Sequence, residues 1–120
     1  MQRDSYVRPH RHMQEEKTEL FVAIQGRFAL LLFDDNGTVI QRLELAPQGE
    51  AFACEVKPGT WHTVVALEDD AVFLEIKQGP YIALSDKDFA PWSPAENTPD
   101  VDRFIQWLSS CKVGEVSPFA

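Results

Sequence analysis

Basic residues are the scarce class in this chain: 11 lysines and arginines stand against 19 aspartates and glutamates, giving a formal net charge of −8. Nucleic acids and anionic membranes both select for a basic face, so this balance argues against either as a partner. Long apolar runs are also missing. None approaches the roughly 20 residues needed to span a bilayer. The opening Met1-Gln2-Arg3-Asp4 has no apolar signal core, which makes a cytoplasmic location the expectation. Only two cysteines occur, Cys54 and Cys111. They make no disulfide framework and lack the C-x-x-C spacing of a redox or zinc motif, so free thiols are expected. There is no glycine-rich phosphate loop. Asp34-Asp35-Asn36-Gly37 lacks the later ligands of a calcium loop and reads as a hairpin turn.

What is present is a series of short β runs. At 120 residues the chain is long enough for one hydrophobic core and too short for two. Tyr6 to His12 alternates. Leu20 to Ile24 is apolar and closes at Gly26, Phe28 to Phe33 leads into the Asn36-Gly37 turn, and Val39 to Leu45 alternates again. Phe52 to Val56, Trp61 to Leu67 and Val72 to Ile76 complete the set, separated by Lys57-Pro58-Gly59 and Glu68-Asp69-Asp70. Strands of this length and spacing predict an all-β sandwich or barrel over residues 1–80. Residues 81–120 read as an extended surface tail over Tyr81 to Asn97, followed by a helix packed on the same domain. That helix opens at Thr98-Pro99-Asp100, with the proline at its first position, shows Val101, Phe104, Ile105 and Leu108 at helical spacing, and ends by Gly114.

The chain has three histidines, and two of them are His10 and His12. On a strand, residues i and i+2 project from one face with Cα atoms roughly 7 Å apart, so two imidazoles can converge on one metal ion. Glu19 opens the next strand, and a hairpin through Met13 to Thr18 folds it back beside the histidines; the alternative is a solvated residue at a strand start. It shares strand parity with Phe21. Glu15 and Glu16 are rival ligands. His62 follows a tight turn in Lys57-Pro58-Gly59-Thr60-Trp61-His62 and opens an apolar strand.

Together these residues resemble the two motifs of the cupin superfamily. The first, G(X)5HXH(X)3,4E(X)6G, is matched by His10-Arg11-His12, Glu19 and Gly26. The second, G(X)5PXG(X)2H(X)3N, is matched by Gly59 and His62. The departures are a six-residue gap between His12 and Glu19, Asp4 in place of the first glycine, Pro58 directly before Gly59, and Ala66 at the final asparagine position. More narrowly, Ser5 to His12, Glu19-Leu20-Phe21, Leu31 to Gly37, Gly59 to His62, Gly79-Pro80-Tyr81 and Asp86 to Trp92 resemble the WbuC-type cupin metalloproteins. The genes of that family tend to occur with surface-polysaccharide biosynthesis. The resemblance implies an RmlC-like jelly-roll β-barrel with a C-terminal α-helix. It implies metal ligation by His10, His12, Glu19 and His62.

Three nitrogens and one carboxylate suit one divalent transition metal: manganese, iron, nickel or zinc. Four protein ligands leave open positions on an octahedral ion, as substrate chemistry requires. Arg8, Phe21 and Tyr81 are candidates to contact a ligand; a surface arginine and a packing tyrosine are the plainer readings. In Val72 to Lys77, Glu75 and Lys77 fall on the face opposite Val72, Leu74 and Ile76. Glu75 is then either a general base or ligand-orienting group, or a solvent-facing partner of Lys77. The functional expectation is an enzyme acting on a small polar metabolite, sugar-derived or carboxylate-bearing, by isomerase-type or dioxygen chemistry. The alternative is a non-catalytic module that binds or senses a small ligand through the metal. The apolar outer strand face and the amphipathic helix suggest a homodimer.

Overall fold

Strands form where the apolar runs stand. The computed structural model describes residues 1–14 and 17–120, so Glu15 and Glu16, the rival ligands, lie outside the described residues. β1 (Glu19–Gln25), β4 (Ala53–Val56) and β6 (Val72–Lys77) build one antiparallel sheet in the order β4-β1-β6. β2 (Phe28–Phe33), β3 (Val39–Leu45) and β5 (Trp61–Ala66) build a second in the order β3-β2-β5. One helix, α1 (Val101–Ser110), follows near the C-terminus. The fold is mostly β, as expected. Among the described residues the two sheets are separate hydrogen-bonded units and no closed barrel joins them.

β2 and β5 explain the layering. β2 is apolar at every position and β5 is buried at every position, and such strands are covered on both faces. Phe28 and Leu30, with Val64 and Ala66, meet Phe21 and Ala23 of β1 in a core between the sheets. Ala29, Leu31 and Phe33, with Trp61 and Val65, pack on the other face against Phe104, Ile105 and Leu108 of α1. The helix stripe that needed a cover finds it on the chain's own sheet. Gly26, in the left-handed region at φ +76°, carries the chain from β1 across to β2; a Cβ there would lie 3.0 Å from that of Ala71. After β2, Asp34 Oδ1 accepts from the amides of Asn36 and Thr38, each at 2.9 Å, and closes the expected Asn-Gly turn.

Three expectations need correction. Tyr6 to His12 is not a regular strand: it makes isolated bridges only at His10, to His62 and to Phe89. Pro9 has no amide to donate to a ladder, and its carbonyl accepts from Ala90 instead. The segment Tyr81 to Asn97 does not simply lie over the surface. It includes a 3-10 turn at Asp86–Asp88, and Ala90, Trp92 and Ser93 are buried, with Trp92 inside the core against Phe33. The helix starts two residues later than Pro99, at Val101, because the Thr98 hydroxyl donates to the Ala95 carbonyl and does not cap the helix. Its other end stops at Ser110, where Cys111 turns extended. There Arg42 donates to the carbonyls of Leu108 (2.7 Å), Ser109 (2.8 Å) and Cys111 (3.3 Å), which the helix leaves unpaired.

Candidate metal centre

Each of the four expected ligands is placed by backbone contacts that the local sequence dictates. His10 and His62 exchange both backbone hydrogen bonds, His10 N to His62 O at 3.1 Å and His62 N to His10 O at 3.0 Å. This pairs them directly across an antiparallel bridge. On β5 the parity of His62 is that of Val64 and Ala66, so its ring enters the space between the sheets while Thr63, on the opposite face, donates to the Val7 carbonyl. Gly59, at φ +78°, donates its amide to the His12 carbonyl at 2.7 Å. The turn before β5 therefore holds both histidine segments. Glu19, the first residue of β1, shares the inward face of Phe21 and Ala23 and is 1% exposed.

The four side chains converge. Their ligand atoms all lie within 4.8 Å of one another, and all four residues are almost fully buried. His12 Nε2 and His62 Nε2 stand 3.0 and 2.9 Å from the same oxygen, Glu19 Oε1. Neither contact has hydrogen-bond geometry, so both nitrogens and both Glu19 oxygens are buried without a hydrogen-bond partner. Orphaned buried groups of this kind are costly. At His10 and His62 the other ring nitrogen is occupied: Nδ1 meets the Arg8 and Thr60 carbonyls, each at 2.9 Å. A carbonyl accepts only, so Nδ1 carries the proton and Nε2 presents a lone pair to the centre. Two imidazole nitrogens set against one buried carboxylate oxygen without hydrogen-bond geometry are groups that a cation among them would satisfy. The donor set fits a divalent transition ion. The cluster can hold a metal, and it is the one assembled from sequence.

Electrostatics follow the burial. Burial, and next the neighbouring His62, push the His10 imidazole down to about 4, which keeps it neutral at pH 7. Burial pushes the Glu19 carboxyl up, but His12 and His62 outweigh it and hold the group well below the usual carboxylate range. Glu75 goes the other way: burial raises it first, and the neighbouring Glu19 adds to the rise.

A cavity of about 340 Å³ opens beside the cluster, lined by His12, Lys17, Glu75, Lys77, Tyr81 and Ile82 among others. Glu75 thus joins the pocket, and its ion-pair partner is Lys77 at 3.2 Å, not a ligating histidine. Tyr81 lines the mouth and is largely exposed. Phe21 is buried under His62, its ring centroid 5.9 Å away, and packs on Phe73. Arg8 stands apart from the pocket: its guanidinium donates to Ser93 Oγ and to the Ala90 and Ser93 carbonyls. Lys17 was not anticipated. Its ammonium is buried on the carbonyls of Gln78 and Pro80, and no periodicity in that loop could have announced it. Cys54 and Cys111 are free thiols, as expected.

Over residues 1–45 the chain is similar to the family described as a domain of unknown function, DUF6016. That stretch contains His10, His12 and Glu19 but not His62. No curated protein and no solved structure matches the chain. No helix among the described residues is long and apolar enough to cross a membrane.

Proposed function

We propose that the chain is a cupin-type metalloprotein of the RmlC-like jelly-roll kind, most similar to the WbuC-type cupins. In this reading one manganese, iron, nickel or zinc ion sits on His10, His12, Glu19 and His62. The observation that carries the reading is the buried meeting of all three histidines with Glu19, their inward nitrogens and oxygens lacking hydrogen-bond partners. Two packed three-stranded sheets with the cluster at their seam are in keeping with it.

The ligand is a small polar metabolite, sugar-derived or carboxylate-bearing, that enters by the cavity beside His12. When bound, the metal supplies Lewis acidity toward substrate oxygens, or a site for dioxygen. The chain's own contribution is positional and acid–base. Glu75 stands on the pocket wall with a raised carboxyl affinity for protons, a group able to take or return one at its side-chain oxygen. Its presence favours an enzyme over the alternative, a non-catalytic ligand-binding or sensing module. Elemental analysis of purified protein beside a His10→Ala/His62→Ala double variant tests the metal. About one equivalent of transition metal, lost in the variant, is the expected result. No metal in the wild type and none taken up on reconstitution would overturn it.

The homodimer is proposed on narrower grounds. α1 buries its own stripe within the chain, which leaves the outer face of β1 and β6 as the surface for a second copy. Leu20, Ile24, Val72, Leu74 and Ile76 all remain exposed there.

A further inference from the structure

The pocket beside the metal cluster has a charge pattern that the metal alone does not explain. In the β1–β6 register Lys77 lies directly opposite Glu19, and Glu75 opposite Phe21. Lys77 is therefore the cross-strand neighbour of a metal ligand, and its ammonium sits 3.2 Å from Glu75 and 3.9 Å from Glu19 Oε2. The next turn of chain is fixed in place. Lys17, buried, donates to the Gln78 and Pro80 carbonyls and so pins the segment that leads to Tyr81 across the pocket mouth. Lys17 and Lys77 thus both line the cavity, and Glu75 is its one lining carboxylate among the described residues.

A metal ion changes this balance. Glu19 becomes a ligand, and its charge is taken up by the ion, so Lys77 loses one of its two carboxylate contacts. Among the described groups, the divalent ion with Glu19, and the two lysines with Glu75, leave an excess of about two positive charges around this small pocket. A neutral sugar hydroxyl does not need this excess. An anion does. At about 340 Å³ the cavity lies at the small end of ligand pockets, which suits a metabolite-sized guest.

We propose, resting on the metal reading above, that Lys77 is the anion-recognition residue of this site, and that the guest is a small molecule bearing a carboxylate or phosphoryl group. Lys77, with Glu75 beside it at 3.2 Å, pairs with that group. Lys17 holds the wall and does not touch the guest. A lysine present only to neutralise Glu75 would be indifferent to guest charge, and this is the distinction to measure.

The test uses full-length protein reconstituted with manganese, its metal content fixed by elemental analysis, and calorimetric titration with oxalate, inorganic phosphate and neutral ethylene glycol. Wild type is expected to bind at least one of the two anions and to show no heat with the diol. Tighter oxalate marks a carboxylate guest, and tighter phosphate a phosphoryl one. K77Q is expected to keep its metal and weaken the favoured anion about 10-fold, as loss of one charge-assisted hydrogen bond requires. K77R is expected to restore most of that loss. Unchanged anion affinity in metal-replete K77Q, or failure of metal-replete wild type to bind either anion, overturns the role of Lys77 and leaves the metal reading standing. Failure of the wild type to take up metal overturns both.

Discussion

His10 makes the metal-free protein sensitive to mild acid, and the size of the effect can be worked from its environment. Burial and the neighbouring His62 hold its imidazole at about 4, against an ordinary value of 6.5. The folded pKa is the lower one, so over this interval the folded state binds fewer protons than the unfolded state, and stability rises with pH. Above pH 6.5 the group is neutral in both states and contributes nothing to the slope. As pH falls the unfolded chain takes up a proton that the folded chain refuses. Integrating between the two values gives a loss of about 2 kcal/mol by pH 5 and about 3 kcal/mol by pH 4. His10 is 9% exposed, so solvent screening does little to reduce this. Against a total stability of roughly 5–15 kcal/mol for a domain, the loss is plainly measurable. Urea unfolding of chelator-treated protein at pH 7, 6 and 5 is the assay, beside His10→Asn, which keeps a donor for the Arg8 carbonyl but does not titrate. The wild type should lose its 2 kcal/mol while the variant, less stable at pH 7, changes far less. Equal slopes in the two proteins would refute the assignment of the buried proton-refusing group to His10.

Three further outcomes are expected. Glu19→Gln removes the cluster's charge with little change of shape, and metal affinity measured by competition with a chelator should fall on the order of 100-fold or more, since the ligand itself is altered. Arg42→Met strips three carbonyls at the end of α1 of their donor and should cost about 2 kcal/mol in urea unfolding, with metal content unchanged. The pair Leu74→Glu/Ile76→Glu places charge on the exposed face of β6 and should convert a dimer to a monomer in sedimentation velocity, with folding and metal content intact; a wild type that sediments as a monomer would remove the second copy from consideration.

The elements that were legible in sequence are those whose local pattern is also their tertiary environment. β2 reads as an uninterrupted apolar run because both of its faces are covered, and β1 shows Glu19, Phe21 and Ala23 on one parity because that parity faces the core. His62 could be placed because Gly59 fixes the turn before it. Arg8 shows where this reasoning stops. Strand parity puts it with His10 and His12, but the segment around Pro9 is not a regular strand, and carbonyls at Ala90 and Ser93 draw the guanidinium away from the pocket. Trp92 and Lys17 were equally hidden: each is buried by residues far away in the chain, with no period of its own to betray it.

The cluster also has a structural consequence for the whole domain. Its four side chains come from a bridged segment, a loop exit, the start of β1 and the start of β5, and only β1 belongs to the sheet of β4 and β6. The two sheets share no ladder hydrogen bonds among the described residues, so what couples them is the apolar core between them and, at one end, this polar seam. In the metal-free protein the seam sets two imidazole nitrogens about 3 Å from one carboxylate oxygen without hydrogen-bond geometry. A bound ion would tie residues 10, 12 and 62 to residue 19 across the gap. Metal binding is therefore linked to stability, by RT ln(1 + [metal]/Kd), and at a hundredfold excess over Kd the gain is about 2.7 kcal/mol. Because the pocket wall is built on β6, whose ladder partner is β1, the same link should tighten the pocket that Glu75 and Lys77 line.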